Sequence, residues 1–265
     1  MSELLDRLER IAGQAGDIAL SHYGRTGFSL KPGDASPVTA ADREVEAFLA
    51  RELYRLDPEA VFIGEESAGD PAVVQRARQA ERVWVVDPVD GTAAFLSELD
   101  TFAVCIGLLR HGRPYAGVVT LPALRQSYLA QEWQGARWHT PRARATIGAA
   151  ALAPPSMRCF LAPSNAHRSY RIRYPGKVRS FGCTAYHFLL VARGLGAGAV
   201  SRSHVWDYAA AAAVVEQAGA VMRYLDGGEI DWRDLLDGRI AGLPVLGAHP
   251  DAWQELAGLV QRVEG

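Results

Sequence analysis

The segment Asp87-Pro88-Val89-Asp90-Gly91-Thr92 sets two carboxylates behind an apolar run and ahead of a helical pattern. Proline stiffens the step between them. A turn of this kind can aim both carboxylates and the Val89 carbonyl at one point, and such hard oxygen donors suit Mg2+. The amides of Gly91 and Thr92 would face the same point from a helix start, where anions are favoured. A cation beside an anion cradle is the layout of a phosphoryl-transfer site. A capped turn, with Asp87 closing a strand and Asp90 capping a helix, accounts for the same spacing equally well, because Asp-Gly turns are common.

Other acids occupy comparable places. Glu65 and Glu66 follow the apolar run Val61-Phe62-Ile63, so one of them can face the sheet edge that carries Asp87. Taken alone, the pair reads as a solvated loop. Asp42 stands at capping-box spacing from Thr39, which makes it a helix cap. It also shares a helical face with Val45 and Leu49, which aligns it with a buried stripe. Asp207, behind Trp206, opens a helix over 207–218, where a carboxylate complements the helix dipole.

The elements that must position these groups are legible as patterns. Leu4, Leu5, Leu8, Ile11, Ala12, Ala15, Ile18 and Ala19 recur at helical spacing between charges. They predict an amphipathic surface helix and not a signal peptide. Gly24, Gly27, Pro32, Gly33 and Pro37 make 24–38 turns or a hairpin. A helix follows over 40–56, then strands over 61–63 and 83–86, the second ending at Asp87. Runs over 102–109, 115–121 and 127–130 read as antiparallel neighbours. The Ala- and Pro-rich stretch 140–157 predicts a domain junction, dividing 1–145 from 146–265. Beyond it lie a strand near 159–161, a helix over 184–193 stopped by Gly194, and the helix over 207–218 stopped by Gly219. Blocks of strands and helices fit α+β layering better than a parallel βαβ wind.

Composition excludes several classes. At 265 residues, 49% hydrophobic, with 28 basic against 30 acidic residues, the chain has enough apolar matter for a sizeable core and too little net charge for disorder. The same balance argues against nucleic acid as the main partner. No run approaches the roughly 18 apolar residues of a membrane span. Cys105, Cys159 and Cys183 lie far apart, which suits a reducing cytoplasm, and Cys105 reads as plain core. Gly194 to Gly198 lacks dinucleotide-fingerprint spacing, the histidines are scattered, and no Gly-x-Ser-x-Gly occurs. Arg168, Arg171, Arg173, Lys177 and Arg179, interleaved with Tyr170 and Tyr174, form either a solvated basic face or a patch for an anionic substrate.

Four segments in order carry more information than any one: Pro37-Val38-Thr39-Ala40-Ala41-Asp42, Ile63-Gly64-Glu65-Glu66-Ser67, Trp84 to Thr92 with Phe95 beyond, and Trp206-Asp207-Tyr208-Ala209-Ala210. Together they resemble the inositol monophosphatase family of Mg2+-dependent, Li+-sensitive sugar-phosphate phosphatases, over essentially the whole chain. The resemblance implies a layered αβαβα sandwich of the inositol monophosphatase and fructose-1,6-bisphosphatase type, with the site between its two halves. It implies hydrolysis of a small phosphate monoester by metal-activated water, with two or three Mg2+ ions. Glu65, Asp87 and the Val89 carbonyl would hold one metal, and Asp87, Asp90 and Asp207 a second. Asp42 and Thr92 would orient and help deprotonate the attacking water. The amides of Gly91 and Thr92 would hold phosphate oxygens. Lys31 matches a basic residue of the family's flap, and Gly182-Cys183-Thr184 matches a loop that approaches the sugar.

The chain also departs from that family. Ala93 and Ala94 replace polar residues, and no residue from Leu195 to Trp206 is acidic where inositol-specific members carry a Glu. Arg202 and His204 stand there instead; either they suit a second anionic group on the substrate, or Arg202 points to solvent and the loop is only shortened. With that acid missing, other small phosphates of the superfamily are alternative substrates by resemblance: fructose 1,6-bisphosphate, histidinol phosphate or a 3′-phosphoadenosine nucleotide; binding to bacterial transcription machinery is the non-enzymatic alternative. A homodimer with no membrane attachment is expected from the family. Asp90→Asn is expected to leave the fold intact, the site being polar and near the surface.

Overall fold

The computed structural model describes residues 2–25, 27–30, 37–150 and 157–263. The first helix, α1 (Glu3–His22), is capped by Ser2, whose hydroxyl accepts from the Leu5 amide, and it buries the apolar stripe from Leu5 to Ala19. β1 (Phe28–Leu30) and β2 (Pro37–Thr39) pair antiparallel, as a hairpin over this stretch requires, and lead into α2 (Ala40–Leu56). Lys31 lies outside the described residues.

The chain then lays down β3 (Val61–Gly64), α3 (Pro71–Gln79), β4 (Arg82–Asp90) and α4 (Thr92–Leu96). A meander follows: β5 (Ala103–Arg110), β6 (Arg113–Leu121), β7 (Gln126–Gln131), β8 (Ala136–His139) and β9 (Arg144–Ile147). These strands form one sheet in the order β3-β4-β5-β6-β7-β8-β9, parallel only between β3 and β4. β9 carries this sheet to Ile147, past the division expected at 145.

The later part comprises β10 (Cys159–Leu161), α5 (Ala166–Ser169), β11 (Tyr170–Ile172), β12 (Lys177–Arg179), α6 (Thr184–Ala192), β13 (Gly196–Ser201) and α7 (Val205–Gln217). It closes with β14 (Val221–Tyr224), β15 (Val245–Ala248), α8 (Pro250–Gly258) and β16 (Val260–Arg262). Five of its strands make a second sheet, β12-β10-β13-β15-β14, while β11 and β16 form an antiparallel ribbon.

The layers alternate helix, sheet, helix, sheet, helix. α1 and α2 cover one face of the first sheet, α6 and α7 fill the space between the sheets, and α8 covers the far side of the second. The middle layer explains the run Ala209–Ala213, which is buried throughout. A helix with apolar residues on every face belongs inside a protein. It comes so close to the first sheet that β5 and β6 present glycine: a Cβ on Gly117 would overlap the Ala210 carbonyl, and one on Gly107 would meet the Ala209 methyl. Small residues on both sides bring the start of α7, with Asp207, to the end of β4. No described helix is long and apolar enough to cross a membrane.

Two element boundaries differ from expectation. β4 does not stop at Asp87. It slips register between Asp87 and Asp90 and pairs again at Asp90 with Ala103, so both acids sit in a bulged strand end. α7 starts at Val205, because the His204 amide bonds the Asp207 carboxylate; Asp207 is therefore the third residue of the helix, in its first turn.

Candidate metal centre and active site

The bulge at the end of β4 is held by its own acids. Asp87 Oδ1 accepts from the Val89 amide at 3.0 Å, which folds the proline-containing step back and brings Asp90 to the same side. Gly91 takes φ +90°, and a Cβ there would lie 2.7 Å from the Gly182 carbonyl. Both the left-handed turn and the close approach require glycine. α4 then starts at Thr92 and is fixed by Phe95, whose ring meets Phe102 edge-on at 4.9 Å.

Asp207 arrives from α7. Carboxylate oxygens of Asp87, Asp90 and Asp207 lie within 4.8 Å of one another, with Asp87 and Asp90 almost fully buried. Burial pushes the Asp87 carboxyl well above its ordinary value, and the charges of Glu65, Asp90 and Asp207 push it further. Asp207 is raised well above its ordinary value too, by burial first and then by Asp90 and Glu65. Asp90 is raised by burial, but three donors oppose the shift. Converging hard oxygens that destabilise one another's charge fit a divalent cation of the Mg2+ kind, which would turn mutual repulsion into coordination. Glu65 sits at the rim: it bonds the Asp87 carboxylate, and its amide donates to the Val86 carbonyl.

Asp42 combines its two readings. Its Oδ2 closes the capping box of α2, accepting from the Thr39 amide at 2.7 Å and the Thr39 hydroxyl at 2.6 Å. Its Oδ1 faces the Thr92 hydroxyl at 3.4 Å, and that hydroxyl also lies 3.1 Å from the Val89 carbonyl. The cap therefore fixes the carboxylate while leaving one oxygen toward the β4–α4 turn.

Sequence reasoning missed Glu46. It lies one helical turn after Asp42, is 6% exposed, and accepts from the Glu66 amide at 2.7 Å. Ser67 bonds it as well. Glu46 thus grips the loop that carries Glu65, and a Cβ on Gly64 would collide with its carboxylate. The available signal was its i, i+4 relation to Asp42 on one helical face.

The later half reaches the cluster through the start of α6. Asp90 accepts from the Thr184 amide at 2.9 Å, the Ala185 amide at 2.5 Å and the Cys183 thiol at 3.1 Å. Burial and the Asp90 charge push the Cys183 thiol well up, which keeps it a donor. The expectation that Asp90→Asn would be structurally quiet is corrected here: Asp90 is 3% exposed and ties the first sheet to α6. Gly182, at φ +77°, packs on the Ala94 methyl, so the small residue at 94 meets a tight contact between the halves. Arg202 follows β13. Its Nε donates to the Ala241 carbonyl at 2.9 Å, and with Thr184 and Arg168 it lines a cleft of about 510 Å³. Arg171, Arg173 and Arg179 do not line that cleft.

With this geometry in place, likeness to known proteins is informative. A model of the inositol monophosphatase family matches residues 1–264. The chain is 31% identical to a histidinol-phosphatase of Mycobacterium tuberculosis over 229 residues, covering 82% of this chain and 85% of that one. It is also 31% identical to the 3′(2′),5′-bisphosphate nucleotidase CysQ of Escherichia coli K12 over 240 residues, covering 86% of this chain and 94% of CysQ. Among solved structures, the extragenic suppressor protein suhB of Bartonella henselae superposes with a TM-score of 0.80 at 24% identity, over 97% of this chain and 98% of suhB. That last likeness speaks to the fold alone.

Proposed function

The chain belongs to the inositol monophosphatase family, whose relatives are phosphoric monoester hydrolases, and we propose that it hydrolyses a small phosphate monoester at the acid cluster, using Mg2+. The observation that carries this reading is the convergence of Asp87 and Asp90 from β4 with Asp207 from α7 within 4.8 Å. Glu65, Asp87 and the Val89 carbonyl would hold one ion, and Asp87, Asp90 and Asp207 another. Bound there, Mg2+ supplies positive charge that neutralises the phosphate dianion and lowers the cost of forming hydroxide.

The chain's own residues do the rest. The Thr92 hydroxyl has one hydrogen, so it donates to Val89 or Asp42 and keeps lone pairs for a water molecule. A water held there has Asp42 Oδ1 within one hydroxyl of it; Asp42 accepts its proton as the water oxygen bonds phosphorus, the ester P–O bond breaks, and the departing alkoxide takes a proton from solvent. The amides of Gly91 and Thr92 receive phosphate oxygens. Gly182, Cys183 and Thr184 form the wall toward the leaving group, and Thr184 and Arg202 border the cleft beyond it. No protein nucleophile takes part.

With this reading we propose two or three Mg2+ ions, Li+ inhibition, a homodimer and a cytoplasmic setting, as the resemblance to the family implies. The test is hydrolysis with and without Mg2+, paired with melting curves. Metal-dependent phosphate release together with a Mg2+-induced rise in Tm supports it. No release from any ester in a panel of sugar, nucleotide and amino-alcohol phosphates overturns it.

A further inference from the structure

The cleft beyond Thr184 is built from three separate parts of the later half. Arg168 comes from α5, Arg202 from the end of β13, and Arg262 from β16; Tyr170 on β11 and Ser203 complete the wall used here. Arg262 lies far from the others in sequence. It arrives only because β16 pairs with β11, setting Arg262 opposite Tyr170. The lining residues include three guanidinium groups and no carboxylate. Among the described residues, none of the three arginines forms an ion pair, whereas Arg78, Arg82, Arg110 and Arg239 all do. The Tyr170 hydroxyl feels the charge of both Arg202 and Arg262, so both cations lie near it.

This cleft adjoins the acid cluster directly. The Thr184 amide that borders it holds Asp90, and Ser203 precedes His204, whose amide donates to the Asp207 carboxylate. Three unpaired guanidinium groups gathered in a concave wall repel one another, and an anion with several oxygens relieves that repulsion while accepting bidentate hydrogen bonds. Arg202 is already oriented by its bond to the Ala241 carbonyl, so less freedom is lost on binding.

We propose that the cleft formed by Arg168, Arg202 and Arg262 binds a second anionic group of the substrate, so that the preferred substrate is a phosphate monoester carrying another phosphate. This rests on the phosphatase reading above and narrows it. The reacting ester lies on the acid cluster, and the other phosphate lies on the arginines. An amine in that position, as in histidinol phosphate, meets three like charges and is disfavoured.

Matched pairs isolate the second phosphate: adenosine 3′,5′-bisphosphate against adenosine 3′-monophosphate, and fructose 1,6-bisphosphate against fructose 1-phosphate. For each pair, the ratio of kcat/KM for bisphosphate over monophosphate is measured at saturating Mg2+. The expected ratio is at least tenfold in the wild type for one pair, which also tells nucleotide from sugar. It falls at least tenfold in Arg168→Ala/Arg262→Ala, chiefly through KM. Both side chains are exposed, and any general loss of folded enzyme cancels in the ratio. Raising salt lowers the wild-type ratio and barely moves that of the double variant. Ratios near one for both pairs, or a high ratio preserved in the double variant, overturn the proposal and leave the phosphatase reading standing. No hydrolysis of any of the four esters overturns both.

Discussion

Replacing Asp87 with asparagine should stabilise the metal-free protein while destroying its response to Mg2+. The side chain is fully buried beside Asp90 and Asp207, and Glu65 bonds it. At 4.8 Å and an effective dielectric of about 20, one ionised pair repels by about 3.5 kcal/mol. Proton uptake limits how much of that persists, so relief of roughly 2–3 kcal/mol is expected near neutral pH. Asparagine keeps an oxygen for the Val89 amide and offers its NH2 to Glu65, so little bonding is lost. At roughly 2–4 °C per kcal/mol, Tm in EDTA rises by roughly 4–12 °C. The pH dependence has a definite sign. The folded carboxyl titrates well above its unfolded value of 3.8, so the folded state resists its ionisation. Wild-type metal-free stability therefore falls as pH rises from the unfolded value through the folded one, and no penalty exists below it. The advantage of the variant should be small under acid conditions and grow toward neutrality. Saturating Mg2+ reverses the ranking, since a thousandfold excess over Kd adds about 4.1 kcal/mol to the wild type and little to the variant. Differential scanning calorimetry in EDTA and in Mg2+ measures this. A variant that melts below the wild type in EDTA at neutral pH would refute the claim that these carboxylates are held in unfavourable proximity.

Asp90→Asn should behave differently: whichever way the amide is turned, its NH2 opposes the Thr184 or Ala185 amide, costing about 1–3 kcal/mol. It should melt several degrees below Asp87→Asn in EDTA, with phosphatase activity down by orders of magnitude; equal melting temperatures would count against Asp90 as a tie between β4 and α6. Glu46→Ala should raise the Mg2+ concentration for half-maximal rate about tenfold by releasing the Glu65 loop, while Glu46→Gln retains an acceptor for the Glu66 amide and stays within about twofold. An unchanged Mg2+ requirement in the alanine variant would remove Glu46 from the positioning of the site. Millimolar Li+ should inhibit turnover without competing with substrate, checked by initial rates at several substrate levels. Light scattering at micromolar concentration should give twice the chain mass; a monomer would dispose of the dimer.

Local pattern sufficed for much of the first half. The stripe from Leu5 to Ala19, the capping box at Thr39 and Asp42, and the antiparallel runs after Phe102 are short-range features, set by side-chain period and turn chemistry. Motif order also brought out Glu65, Asp87, Asp90 and Asp207 as one set. Spacing along the chain, however, left a capped turn and a metal site equally good for Asp87 and Asp90. In the structure the two acids share a bulged strand end and converge with Asp207, while Asp42 caps a helix with one oxygen and faces Thr92 with the other.

What sequence alone determined is thus the identity of the acids and the elements on which each rides. Tertiary structure decided which of those elements meet. Asp207 joins Asp87 because an alanine helix packs against glycines on β5 and β6, a fit between surfaces that no local window contains. Asp90 turned out to be a buried tie between halves because the amides that hold it come from α6, far along the chain. Arg262 reaches the cleft with Arg168 and Arg202 only through the pairing of β11 with β16. Burial, and with it the raised carboxyls of the cluster, arises from closing two sheets over a middle helical layer. Desolvation and the repulsion of neighbouring charges depend on distances across that closure, and sequence separation does not encode them.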